Sequence, residues 1–430
     1  MKRSVLLTGG IVVVAVAAML MLGVLAADST VVLAVTGRVN STVSIATDQQ
    51  RVVVAWSASM AGATDIYTAT SSDGGIRFAA PVRVNGIAGN ASVTGEQPPR
   101  IVFVPRPGST PAIVVVWTAK SSRGTRILTA RSDDGGRSFG VARALSGSEA
   151  EGNRGWESIA ADADGGGVVV WLDHRELAAP AVGGKPMTHD HAAMSMPSHD
   201  PVSVGKEQLS KLYVERLDGS GTATALTGGV CYCCKTSVVA GPAHTFYAVW
   251  RHVYPGNIRD IAFTMSRDGG RTFLAPVRVS EDRWMLDGCP ENGPALTTSG
   301  KDVIVVWPTL VAGSTGREPT MQLFYATTRD GKSFTRRMPM PTEGVPRHPQ
   351  IATLANGSVV AAWDEAANGR RRVVLASKSA AMMVFAGRRV VVDADTAEYP
   401  AIATVGSGMV VAWTSGPAER SVIRVARLEP

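Results

Sequence analysis

Charge and aromatic residues are both scarce in this sequence: Asp, Glu, Lys and Arg make up 18% of its 430 residues, and Phe, Trp and Tyr 6%. The 43 basic residues outnumber the 36 acidic ones, for a net charge of +7, but they are scattered and form no long run. No helix-turn-helix, zinc-finger or RNP pattern is present, so nucleic acid is not expected as a partner. The spread positive charge suits a small anionic ligand or an anionic cell surface. Hydrophobic residues reach 45%, which excludes a disordered chain and allows a large core. Long apolar runs are missing everywhere except at the N-terminus. There, Lys2 and Arg3 precede an apolar stretch that is densest from Ile11 to Ala27, and Val24-Leu25-Ala26 offers a cleavage site after Ala26. Residues 1–27 therefore read as a signal peptide, with an uncleaved membrane anchor as the alternative. Both readings place residues 28–430 outside the cytoplasm, periplasmic or secreted, and the second adds a membrane tether.

Glycine is abundant, at 45 residues, and valine is frequent, as strands joined by tight turns require. One phrase recurs: a short apolar strand, a turn, then a valine-rich run ending in Trp. It ends at Trp56, Trp117, Trp171, Trp250, Trp307, Trp363 and Trp413, so seven of the nine tryptophans share one position. Each copy reads as a two-stranded hairpin followed by a third and fourth strand, which is the pattern of a propeller blade. The repeated Trp is then a core residue between blades. These counts predict an all-β fold, a single β-propeller of seven four-stranded blades over 28–430. After Trp413 only one more strand, VIRVARL, fits before the chain ends. The missing strand of that blade is expected from Val31 to Val39, which closes the ring and removes an open sheet edge.

A second signature lies between the third and fourth strands. Ser71-Ser72-Asp73-Gly74-Gly75-Ile76-Arg77-Phe78, Ser132 to Phe139 and Ser266 to Phe273 fit S-x-D-x-G-x-x-[WF], and Thr328 to Phe334 is the same motif shortened by one residue. In this respect the chain resembles the Asp-box (BNR) proteins of the sialidase superfamily. The motif's job is structural: Ser and Asp satisfy turn donors, Gly takes positive φ, and Phe caps the blade. The family norm of six blades is the alternative to seven. What the resemblance implies for a site is three arginines around a substrate carboxylate, a Tyr–Glu nucleophile and an Asp acid/base. Candidates are Arg100, Arg251 and Arg347 for the ligand, with Tyr399, Glu157 and Asp173 for catalysis. Arg100-Ile101-Val102 departs from the family's R-I-P.

Strand direction sorts the irregular residues onto the face opposite those turns. Trp156 and Glu157, Asp173-His174, Cys231-Tyr232-Cys233-Cys234-Lys235, Arg251-His252, Cys289, Arg347-His348 and Tyr399 all project there. A Met/His-rich insertion at about 176–208 leaves the third blade on that face, carrying Met187, His189, His191, Met194, Met196 and His199. Thioether, thiolate and imidazole donors select soft metals, copper above all. The candidate ligands are those six residues with His174, His252, Cys231, Cys233, Cys234 and Cys289. Four cysteines in an exported chain equally suggest two disulfides, one joining Cys289 to Cys231, Cys233 or Cys234 and one local. Three functions follow from this reading. They are a copper-binding propeller, a sialidase-like glycoside hydrolase acting on an anionic glycan, and a non-catalytic propeller presenting Trp156 and its neighbours to a glycan or protein partner.

Overall fold

A computed structural model describes residues 30–178, 207–286, 288, 290–313, 318–382, 384–394 and 396–429. The chain forms seven antiparallel sheets of four strands each, arranged as seven blades. Helix is nearly absent from these residues, confined to a four-residue turn at Arg175–Ala178 and a short stretch at 207–209. The first, innermost strands are Val39–Asp48, Arg100–Arg106, Arg154–Ala161, Ser237–Ala240, Ala295–Ser299, Val345–Thr353 and Ala397–Val405, in blades one to seven. The second strands carry the valine runs. They are buried on both faces, because each blade lies between two others, so they read as continuous apolar runs.

One apolar cluster fills each interface between neighbouring blades, and each contains one repeated Trp. Trp56 sits with Val410 and Val425 between blades seven and one. Trp117 sits with Val53 and Ile66 between blades one and two. The series continues through Trp171, Trp250, Trp307, Trp363 and Trp413. All seven are at most 1% exposed. A buried indole removes roughly 150–250 Å² from water, so each Trp anchors its blade to the preceding one. Five of the seven indole N–H groups find an acceptor, while those of Trp117 and Trp413 have none among the described residues. Trp56 donates to Asn40 Oδ1 at 3.0 Å, Trp171 to Asp173 Oδ2 at 3.2 Å and Trp363 to Glu365 Oε2 at 3.0 Å.

The ring closes as expected, through a shorter segment. Thr30–Leu33 pairs antiparallel with Val422–Leu428 and becomes the outer strand of blade seven, with Leu33 buried in the seven–one cluster. The turns at Asp73, Asp134, Asp268 and Asp330 share one hydrogen-bond scheme. Ser71 Oγ accepts from Gly75 N at 2.9 Å, and Asp73 Oδ1 accepts from Ile76 N and Arg77 N at 3.2 and 3.0 Å. The same bonds recur around Ser132–Asp134 and Ser266–Asp268, and in shortened form around Thr328–Asp330. Phe78 tucks against the cluster beneath its turn.

One irregularity positions the site. The pairing of first and second strands slips between Ser41 and Ser44, Gly155 and Ser158, Arg347 and Gln350, and Glu398 and Ala401. At each slip a non-glycine residue takes left-handed backbone: Thr42 (56°), Trp156 (55°), His348 (51°) and Tyr399 (52°). A bulge of this kind re-aims a side chain, and in three of these blades that side chain is Trp, His or Tyr. No helix among the described residues is long and apolar enough to cross a membrane.

Candidate functional site

A cavity of about 190 Å³ lies on the propeller axis. It is lined by Ser44, Arg100, Ser158, Lys235, Gln350, His348 and Tyr399, with apolar residues of the same strands such as Ile101 and Ile351. Six blades thus contribute polar groups to one small space. His348 and Tyr399 stack with ring centroids 3.9 Å apart. His348 Nδ1 lies 2.6 Å from Asp364 Oδ1, and the backbone N–H of Tyr399 donates to the same oxygen at 3.2 Å. Arg371 completes the Asp364 pair at 2.9 Å. Burial, with the carboxylates of Glu96, Glu398, Asp364 and Glu291 around it, pushes the Tyr399 phenol far above its ordinary range, so it stays protonated.

The link from blade one to blade two crosses the axis above this cavity. Glu96 Oε2 accepts from Gly293 N of blade five at 3.4 Å, and its Oε1 lies 3.4 Å from His348 Nε2 of blade six. Blades five and six lie across the ring from blades one and two, so Gly95–Pro98 must bridge the centre. A side chain at Gly95 would collide with the Tyr399 ring, and one at Gly155 with Gln97.

Two cations face the cavity. Arg100 donates Nε to Glu157 O at 2.9 Å. No other hydrogen bond or ion pair of its guanidinium occurs among the described residues. Lys235, 4% exposed, donates Nζ to Pro349 O at 3.1 Å. Burial lowers both: Arg100 falls below its ordinary value, and Lys235 falls to about 8 against the raising pull of Glu96. Ser44 Oγ, on the same wall, is buried with no hydrogen-bond partner. Two desolvated cations therefore share this space with an unpaired hydroxyl, and the charges of Glu96 and Glu157 act on Arg100 and those of Glu96 and Asp364 on Lys235.

The other predicted residues lie apart from this cavity. Arg251 is consumed by structure, donating to the carbonyls of Arg259, Asn292 and Pro308 at 2.7, 3.0 and 2.6 Å and lying over the Trp284 ring. Arg347 is exposed. Asp173 is paired with Arg154 and Arg175; although burial pushes it up, the Arg175 hydrogen bonds and the Arg154 charge hold its carboxyl below the ordinary range. Glu157 is sealed at the seam of blades two and three, accepting from Thr118 Oγ1 at 2.9 Å, and burial pushes it up to about 7. No hydrogen bond or ion pair joins any two of Tyr399, Glu157 and Asp173 among the described residues. Trp156 lies against His174, with centroids 5.5 Å apart, and both neighbour the cysteine turn through Tyr232. His252, lowered to about 4 by burial and by Arg278, stacks edge-on against Tyr254.

The cysteines differ from the two-disulfide expectation. Cys233 is disulfide-bonded, while Cys231 and Cys234 are free thiols, buried with their sulfurs 3.4 Å apart. The local second bridge is therefore not closed. Two groups of three close donors occur among the described residues: the sulfurs of Cys231, Cys233 and Cys234, and Asp162, Asp164 and His244 on the opposite face. His174 and His252 join neither. Met187, His189, His191, Met194, Met196, His199 and Cys289 lie outside the described residues.

Sequence reasoning missed Glu96, Ser44, Arg259 and the axial role of Lys235.

Comparison with known protein families gives no match, and comparison with curated proteins gives none either. Solved structures share the fold. A protein of unknown function from Dyadobacter fermentans is 13% identical, covering 93% of this chain and 98% of that one, with TM-score 0.52. A PL25 ulvan lyase bound to -[GlcA(1-4)Rha3S]- is 10% identical over 90% and 91% of the two chains, with TM-score 0.54. The Hadza microbial sialidase Hz136 is 13% identical over 86% and 74%, with TM-score 0.45. The chain is thus an all-β, seven-bladed propeller that shares its fold with a polysaccharide lyase.

Proposed function

We propose that this is an exported, sialidase-like propeller of the Asp-box type that binds an anionic saccharide at its axis. One observation carries the reading: the terminal nitrogens of Arg100 are uncommitted beside Lys235 and the unpaired Ser44 hydroxyl. The guanidinium offers a carboxylate or sulfate two parallel donors. Lys235 adds a point charge, and the protonated Tyr399 phenol can donate to the sugar's own oxygens. The cavity, about 190 Å³, suits one acidic group or a single acidic residue rather than a length of chain. The ulvan lyase neighbour is seen with a glucuronate–sulfated rhamnose fragment, a ligand of this same chemical class.

Calorimetric titration with glucuronate and with sulfate tests it. Arg100→Met should weaken binding by about tenfold or more, the worth of a lost charge-assisted pair. Arg347→Met, at an exposed side chain that does not line the cavity, should leave it unchanged. Equal affinity for wild type and Arg100→Met would remove the proposal. The soft-metal reading rests on the Met/His-rich segment at about 176–208 together with His174, His252 and the cysteines. Copper content of the purified protein with and without that segment tests it separately.

A further inference from the structure

The turn at the start of blade four carries a chemistry that anion binding does not use. Its sequence contains C-x-x-C, as Cys231-Tyr232-Cys233-Cys234. Cys231 and Cys234 are 1% exposed, and their sulfurs are 3.4 Å apart, in contact but beyond the roughly 2 Å of a bond. They lie in a turn rather than a strand, so closing that gap breaks no sheet pairing. The two sulfurs are unequal. Arg259 Nη1 donates to Cys231 Sγ at 3.2 Å, and the Cys231 backbone N–H is held by Arg251 O at 2.9 Å. Arg259 is itself fixed by Leu286 O at 2.7 Å, Asn257 Oδ1 at 3.3 Å and an ion pair with Glu207. The Arg259 guanidinium favours a thiolate at Cys231, whereas Cys234 has the Arg251 charge and a backbone hydrogen bond from Asn292 and lies with its thiol against Cys231 Sγ. A third sulfur, Cys233, is 3.9 Å from Cys231 and already oxidised.

We infer that Cys231 and Cys234 form a redox-active dithiol that closes to a disulfide by exchange with a small-molecule disulfide. When the turn at 231–234 opens to solvent, the Cys231 thiolate attacks one sulfur of R–S–S–R; that bond breaks and one RS⁻ leaves, taking a proton. Cys234, losing its proton, then attacks Cys231 Sγ and expels the second thiol. Two protein thiols are oxidised and one external disulfide is reduced to two thiols. A thiolate at one position and a protonated partner at the other is the asymmetry such exchange needs. Arg251, Lys235, Tyr232 and Glu207 are the other charged or titratable groups around the two sulfurs. The guanidinium beside Cys231 also argues against a metal cation there, since it places positive charge on the would-be ligand.

The test equilibrates the intact protein in graded reduced and oxidised dithiothreitol, traps thiols with N-ethylmaleimide and maps peptides by mass spectrometry without reduction. Cys231 and Cys234 should switch together, at one two-electron midpoint, with Cys233 bonded throughout. At pH 7, Arg259→Gln should slow alkylation of Cys231 by about tenfold or more as its thiolate fraction falls. Because Arg259 is buried with Glu207, Cys234→Ser provides a second variant: it should keep a reactive Cys231 and lose the internal bridge. Thiols that never bridge across the whole range would overturn the inference. So would thiols shielded from alkylation by stoichiometric copper or zinc, which would make the cluster a metal site.

Discussion

Glu157 illustrates how a residue can look catalytic and be placed otherwise. Burial pushes it up to about 7 from an ordinary 4.5, yet its carboxylate faces Thr118 in a seam rather than the axial cavity. An acid raised in this way binds more protons folded than unfolded, so stability falls as pH rises from about 4.5 to about 7. Glu157→Gln should therefore gain stability over wild type across that window, by up to about 3 kcal/mol above it, as read by urea unfolding at several pH values. A parallel pH dependence in both proteins would contradict this. Lys235 gives the opposite kind of test. Lowered to about 8, it loses its charge as pH rises through that value, so anion affinity should drop above about pH 8. Lys235→Met should bind weakly with no such drop. At this scale the sequence was a partial guide. Arg100 and Tyr399 were visible as candidates, but nothing in the residues themselves says that Arg251 spends its donors on three backbone carbonyls. The C-x-x-C spacing was present and hidden by the adjacent Cys233.

At the scale of elements, the repeated Trp was legible because one packing problem recurs seven times, and each interface solves it with the same residue. Trp307→Ala should destabilise by about 3–5 kcal/mol, the usual penalty for emptying a buried aromatic site, measured by urea unfolding; a loss under 1 kcal/mol would deny the Trp its anchoring role. The bulges were not legible. Left-handed backbone is signalled by glycine, and here Trp156, His348 and Tyr399 adopt it without one. Their conformations are imposed by the strand slip, and the slip is what turns His348 and Tyr399 toward the axis.

For the whole molecule, closure and crossing are the two long-range facts. Closure was predictable, because a blade short of one strand needs a partner and the N-terminal segment supplies one at Thr30–Leu33. Removing residues 28–36 should expose the edge at Val422–Leu428, lowering the melting temperature and producing self-association visible by light scattering; a monomer with unchanged melting would show that the strand is dispensable. The crossing was not predictable. Glu96 reaches blades on the far side of the ring, and no local pattern encodes a contact almost two hundred residues away. By covering the centre, Gly95–Pro98 leaves a cavity sized for a single anionic group and bounded by Arg100, Lys235, His348 and Tyr399.

The axial anion site is the centre of this account, and locating a bound anion tests it most directly. A crystal of the protein soaked in selenate, with data collected at the selenium edge, shows where an anion settles. An anomalous peak is expected on the axis within hydrogen-bonding reach of Arg100 and Lys235, absent from Arg100→Met crystals. An empty axis, with selenate bound elsewhere or not at all, would contradict it.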